Sequence, residues 1–189
     1  MQPKSPLYVA LIHWPVYNQR GEVVGTSITP FDLHDIARTS KTFGITKYFV
    51  VCPVESQRKL AARIMDHWLT GIGAEMNVTR KEAFETVALV PQLEDACLTI
   101  QGDLGKSPRL VATSAKPGPN RVSFPELRAE LEESDEPHLI MFGTGWGMTE
   151  DILSRADRFL EPIAGRGDGS YNHLPVRAAV AIILDRLLS

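Results

Sequence analysis

Short apolar runs alternate with helical patterns along this chain. Leu7 to His13 reads as a strand, and Tyr48 to Cys52 is a continuous apolar run of the kind buried on both faces of a sheet. Between them, Phe31 to Phe43 repeats its apolar positions at helical spacing, with Thr29 or Pro30 at its start and Gly44 as its stop. A longer helical pattern covers Glu55 to Leu69 and ends at Gly71 and Gly73. Phe84 to Val90 reads as a strand and Pro91 to Gln101 as a helix with proline in its first turn. Leu110 to Thr113 is a short strand that feeds a Pro- and Gly-rich loop, Lys116 to Asn120. An acidic helix follows, then a strand at His138 to Phe142, a short helix at Thr149 to Arg155 and a strand near Phe159 to Ile163. A Gly-rich loop from Ala164 to Gly169 precedes the last helix, Val176 to Leu188.

This order predicts an α/β fold, a parallel sheet with helices on both faces, in one domain spanning residues 1–189. No internal repeat or low-complexity segment interrupts it. In open parallel sheets ligands bind beyond the carboxyl ends of the strands. The loops after Thr113, Phe142 and Ile163 are therefore the expected site.

Composition narrows the class. An apolar fraction of 43% and a charged fraction of 23% are those of an ordinary globular protein. The two cysteines, Cys52 and Cys97, form no CxxC pair and stand in no zinc-ligand spacing, so both read as reduced thiols and no metal site is expected. The amino-terminal segment lacks a secretory core and a cleavage site, and no stretch reaches the roughly 18 apolar residues of a membrane span. The expectation is a cytoplasmic protein without a membrane partner. Net charge is −3, unfavourable for a nucleic-acid partner, but the acid is concentrated between Glu126 and Glu136, which reads as a solvated helix face. The remainder is close to neutral.

Three segments carry candidate chemistry. The first is Phe142-Gly143-Thr144-Gly145-Trp146-Gly147-Met148. Alternating glycines let a backbone adopt positive φ and approach a ligand closely. The spacing is neither the dinucleotide fingerprint nor a phosphate-binding P-loop. Trp146 either covers a ligand or caps the core. The second is Leu160 to Gly169, where Gly165-Arg166-Gly167-Asp168 sets a cation and a carboxylate on a glycine-rich backbone. The third is Ser170-Tyr171-Asn172-His173-Leu174-Pro175, a polar turn that opens the apolar last helix. On the helix at 31–43, His34, Asp35 and Arg38 fall on one face by spacing, so Asp35 either pairs with Arg38 structurally or holds its guanidinium toward a phosphate or ribose. His13, at a strand end, reads as structural.

The third segment resembles the terminal motif of the SPOUT (α/β-knot) RNA methyltransferases, a Ser-x-Asn turn followed by a small-residue apolar helix, with Ser170 and Asn172 at the matching spacing. Phe142-Gly143 resembles that family's strand end before its cofactor loop, and Pro162-Ile163 its Ile-Pro element. Arg38 falls where the SpoU branch has its helical arginine, while Asp32 and His34 stand in place of that motif's Asn and Gly. The resemblance implies a C-terminal deep trefoil knot, S-adenosyl-L-methionine as cofactor, an RNA substrate and a homodimer built partly on the last helix. It implies a cofactor pocket of Thr113, Ser114, Phe142, Gly143, Thr144, Gly145, Trp146, Gly147, Leu160, Pro162, Ile163, Gly165, Ser170, Tyr171, Asn172, His173 and Leu174. It places Arg38 as a catalytic candidate, with Asp35 and His34 beside it and Arg38 of one subunit orienting the RNA near the cofactor of the other; Arg166 and Asp168 are catalytic candidates by their loop position. Both tRNA and rRNA, and both base and ribose, stay open as acceptors. Two alternatives stay open: a non-catalytic nucleotide- or cofactor-binding module on the same fold, and a small-molecule α/β enzyme that uses the Gly-rich loop for phosphate.

Overall fold

A computed structural model describes residues 4–167 and 171–189. In chain order the elements are β1 (Leu7–Ile12), β2 (Val16–Tyr17), β3 (Val23–Val24), α1 (Pro30–Thr42), β4 (Lys47–Val51), α2 (Glu55–Leu69), α3 (Ile72–Met76), α4 (Val78–Phe84) and β5 (Val87–Val90). They continue with α5 (Leu93–Leu104), β6 (Arg109–Ala112), β7 (Arg121–Val122), α6 (Phe124–Glu133), β8 (His138–Gly143), α7 (Glu150–Leu153), β9 (Arg158–Leu160) and α8 (Val176–Leu188). Seven strands form one sheet in the order β5-β4-β1-β8-β6-β9-β7, and every pairing in it is parallel. β2 and β3 pair separately as a small antiparallel hairpin.

Strand β1 shows why the apolar runs are unbroken. All six of its residues are buried. Successive side chains point to opposite faces of a strand. Leu7, Val9 and Leu11 join the core under α1, α2, α4, α6 and α8, whereas Tyr8, Ala10 and Ile12 join the core under α5 and α7. A strand covered by helices on both sides has no polar face to show.

Local signals set the helix ends. Thr29 caps α1 by accepting from the Asp32 backbone N–H, and Gly44 follows at φ +70. Ser123 and Glu126 form a capping box that opens α6. Three expected boundaries shift. Phe84 ends α4 instead of opening a strand, because its ring packs against Trp68 and His34. Helix α5 starts at Leu93, since Gln92 and Asp95 form its capping box and leave Pro91 outside. β9 stops at Leu160, because it pairs only with the short strand β7 and the end of β6.

Two expectations about helix faces change as well. The acidic helix is only partly solvated, for Glu130 faces Arg109, Arg158 and the buried His138 at the amino ends of the strands. In α8, Val180, Ile183, Leu184 and Leu187 are buried, while Ala178, Ala181 and Ile182 are only half-buried. The helix is therefore not enclosed on every side within one chain. Cys52 is buried, Cys97 half-buried, and both are free thiols. Among the described residues no helix is long and apolar enough to cross a membrane, and no group of three or more His, Cys, Asp or Glu side chains gathers at a metal-sized site.

Candidate functional site

The sequence order reverses around β1. The chain runs from β1 to β4 and β5 on one side, and the later strands fill the other. Crevices in parallel sheets open at such points, beyond the carboxyl ends. Here a cavity of about 620 Å³ opens beyond β6, β8 and β9. Thr113 and Ser114 line it from the β6 loop, Phe142 through Met148 from the β8 loop, and Pro162 and Ile163 from the segment after β9. Asn172, His173 and Leu174 close it ahead of α8, and Asn172 Nδ2 donates to the Ala115 carbonyl at 3.1 Å, which ties that turn to the β6 loop.

The glycine loop is shaped by close backbone packing. Gly145 sits at φ +58, and a Cβ there would lie 2.8 Å from the Tyr17 carbonyl oxygen. A Cβ on Gly143 would lie 2.8 Å from Met148 Cγ. The loop is stitched to the β2–β3 hairpin: Trp146 N–H donates to Tyr17 O at 2.8 Å, and Tyr17 N–H donates to Gly147 O at 2.8 Å. Trp146 is 49% exposed, so it does not cap the core.

Several predicted residues lie elsewhere. Leu160 is fully buried beneath the site, and Gly165, Arg166 and Tyr171 are exposed beside it without lining the cavity. Asp168 and Ser170 lie outside the described residues. His34, Asp35 and Arg38 do not act as one face. His34 turns to α4, with Arg80 Nη1 at 2.7 Å from its Nδ1 and the rings of Trp68 and Phe84 edge-on. Burial and the Arg80 guanidinium lower the His34 pKa. Asp35 turns to α8 and accepts from Arg177 Nη1 at 3.1 Å, so the expected Asp35–Arg38 pair is replaced. One residue along a helix is about 100° of rotation, enough to send neighbours to different partners. Arg38 is exposed, and among the described residues no carboxylate is within ion-pair distance of it.

The structure adds groups not predicted from the sequence. The hairpin contributes Tyr17 and Thr26 to the cavity, and α1 contributes Thr29 and Asp32. Its signal was present: Val16-Tyr17 and Val23-Val24 flank Asn18 to Gly21, a turn composition. The Asp32 carboxylate is nearly buried, accepts from the Thr29 hydroxyl at 2.7 Å and lies 3.8 Å from Arg177 Nε. Behind the cavity wall a polar chain runs inward. Thr144 donates to the Ile12 carbonyl at 2.9 Å, Thr26 meets Thr144, and His13 Nδ1 meets Thr26 at 3.0 Å. With the Thr144 proton spent on Ile12, Thr26 donates to Thr144 and His13 Nδ1–H donates to Thr26. The Nδ1–H bond is compatible with the neutral ring and with the imidazolium, and burial decides for the neutral one near pH 7. Burial pushes its pKa down to about 4, against the smaller opposing pull of Asp32.

Residues 6–189 match the model of a family described as SAM-dependent RNA methyltransferase. This chain belongs to that family. The methyltransferase is 43% identical over 183 residues to an uncharacterized protein of Aquifex aeolicus, covering 97% of this chain and 88% of that one. It is 41% identical over 187 residues to a tRNA (guanine-N(1)-)-methyltransferase of Oleidesulfovibrio alaskensis, covering 99% of this chain but 43% of that protein. More than half of that relative therefore lies outside the match. A probable methyltransferase from Bordetella pertussis Tohama I superposes with a TM-score of 0.63 at 16% identity, covering 97% of this chain and 95% of that one. The A. aeolicus TrmH/SpoU tRNA modifying enzyme gives 0.51 at 18% identity, covering 98% and 76%. The methyltransferase thus has the SPOUT fold.

The cavity suits the family's cofactor, S-adenosylmethionine. Its size lies within the range that holds a molecule of that kind. Phe142, Pro162, Ile163, Leu174 and Val176 supply apolar walls for an adenosyl group. Among the described residues the backbone N–H groups of Ile163 and Leu174 have no backbone acceptor. Asp32, Glu150, Glu161 and Lys116 line the same space and offer partners for a charged amino-acid tail.

Proposed function

We propose that this chain methylates RNA with S-adenosylmethionine held in the cavity beyond β6, β8 and β9, and that it works as a homodimer with the family's C-terminal trefoil knot. One observation carries the reading: loops far apart in sequence, each expected to hold the cofactor, line a single cavity at the carboxyl end of a parallel sheet. The cofactor supplies an electrophilic methyl group on a sulfonium. The chain's task is alignment, because displacement at that carbon needs the acceptor in line with the departing sulfur. The β8 loop and the turn at Asn172–Leu174 bind, and the β2–β3 hairpin holds the β8 loop in shape. Asp32, held by Thr29 and Arg177, is the carboxylate placed to orient the acceptor or take its proton. Arg38 acts on the cavity of the partner subunit, with the exposed Arg166 as a second cation for RNA. Helix α8 packs on α1, α6 and β8, and the knot is carried over from the family. Transfer RNA is the first RNA to test, given the name of the Oleidesulfovibrio relative.

The test pairs calorimetry with S-adenosylhomocysteine and transfer of labelled methyl from S-adenosylmethionine to bulk tRNA and rRNA. Binding with label in one RNA pool is the expected result. Binding without label in any RNA would make the chain a non-catalytic cofactor-binding module, and absence of binding would remove the cavity from the mechanism.

A further inference from the structure

We infer that Trp146, His173 and Tyr171 form a stacking platform at the cavity mouth that receives an unpaired nucleobase of the RNA. The inference rests on the RNA methyltransferase reading above and names the part of the substrate that this site holds. Three aromatic rings from two separate loops meet at one edge of the cavity. Trp146 and His173 have ring centroids 6.0 Å apart, and Tyr171 and His173 have theirs 5.2 Å apart at 74°. The rings stand in water: Trp146 is 49% exposed and Tyr171 79% exposed. Large aromatic surface left clustered and open marks a binding site more often than a packing element.

The backbone beneath Trp146 is held firmly. It sits between Gly145 at φ +58 and Gly147 at φ +108, with its N–H bonded to Tyr17 O. The ring is thus presented by a fixed loop, which lowers the ordering cost of stacking on it. Charge selects the moiety. Asp32, Glu150 and Glu161 line the cavity against Lys116 alone, so a phosphate is disfavoured inside and the neutral face of a base is not. Proteins that read unpaired RNA stack its bases on such rings. An acceptor base stacked there stands at the edge of the cavity that Trp146 and His173 line, next to the proposed cofactor walls.

The experiment uses the full chain saturated with S-adenosylhomocysteine, so that cofactor loss does not masquerade as RNA loss. Affinity for fluorescent adenylate and uridylate octamers and for bulk tRNA is measured by anisotropy across a salt series, with cofactor affinity measured separately by calorimetry. Tyr171→Ala and Trp146→Ala are expected to weaken RNA binding by about ten-fold each. Tyr171→Phe and Trp146→Phe keep the ring and are expected to stay near wild type. Cofactor affinity of the Tyr171 variants should stay within about two-fold, since Tyr171 does not line the cavity, and the salt slope should not change, because the rings touch no phosphate. If the alanine variants fold, bind RNA as wild type does and lose cofactor affinity instead, the rings form a cofactor lid and the inference is wrong. If they change neither affinity, the inference falls while the methyltransferase reading stands. If the wild type itself binds and methylates no RNA, both fall together.

Discussion

Gly145 shows how much of the site rests on single residues. Its positive φ and the Tyr17 carbonyl 2.8 Å from any added Cβ leave no room for a side chain. Gly145→Ala should push the β8 loop off the hairpin, costing about 1–3 kcal/mol of stability through backbone strain and at least ten-fold in S-adenosylhomocysteine affinity. Thermal melting and calorimetry on the same variant check both. An unchanged melting temperature and unchanged affinity would mean that the loop relaxes freely. His13 gives the pH dependence. Its folded pKa of about 4 lies below the unfolded value near 6.5, so the unfolded chain binds more protons between those limits. The His13 contribution is complete above pH 6.5 and is lost as pH falls toward 4, by about 3 kcal/mol in total. His13→Gln should flatten the fall in melting temperature over that window. An equally steep fall in the variant would assign the acid sensitivity to other groups.

At the scale of elements, helix α1 connects two parts of the proposed mechanism. Thr29 and Asp32 at its start reach the cavity, Arg177 of α8 holds it through Asp32 and Asp35, and Arg38 lies about 9 Å beyond Asp32 along the axis. Arg177 also lies over the Phe31 ring at 5.3 Å. Arg38 lines no part of its own chain's cavity, which fits a role at the cavity of a second copy. Arg38→Ala is expected to leave cofactor affinity within about two-fold and stability within about 0.5 kcal/mol, because the side chain is exposed. Single-turnover methyl transfer should fall at least ten-fold, the pattern of an interaction made with the acceptor. Arg38→Lys should not restore it, since lysine lacks the planar fork. Normal transfer by Arg38→Ala would reduce that face of α1 to a solvated surface.

For the whole molecule, the half-buried Ala178, Ala181 and Ile182 of α8 and the exposed Phe31 and Leu174 leave apolar surface that one chain does not cover. A two-fold dimer would cover such a patch with its own copy. Light scattering at micromolar concentration should give twice the chain mass, and Ile182→Asp should give the monomer with much reduced methyl transfer. A wild-type monomer that transfers methyl groups at full rate would end the proposed role of Arg38 across subunits.

The long helix α2 and the approximate span of the last helix were legible from sequence, because their signals are local: apolar spacing with a preceding proline, and for α2 a following glycine. The unbroken apolar runs of β1, β4 and β8 announced a sheet covered on both faces, and with it the end of the sheet where the cavity lies. The glycine loop and the turn at Asn172 were found by motif. Tertiary structure decided the rest. Whether Asp35 meets Arg38 or Arg177 depends on which helix packs beside α1, and spacing along one helix carries no information about its neighbour. Asp32 becomes a cavity carboxylate, and His13 a buried neutral imidazole, only because the hairpin and α8 close over them. The two-residue strands β2, β3 and β7 escape periodicity altogether, since an alternation of two positions is no pattern; their pairing partners define them.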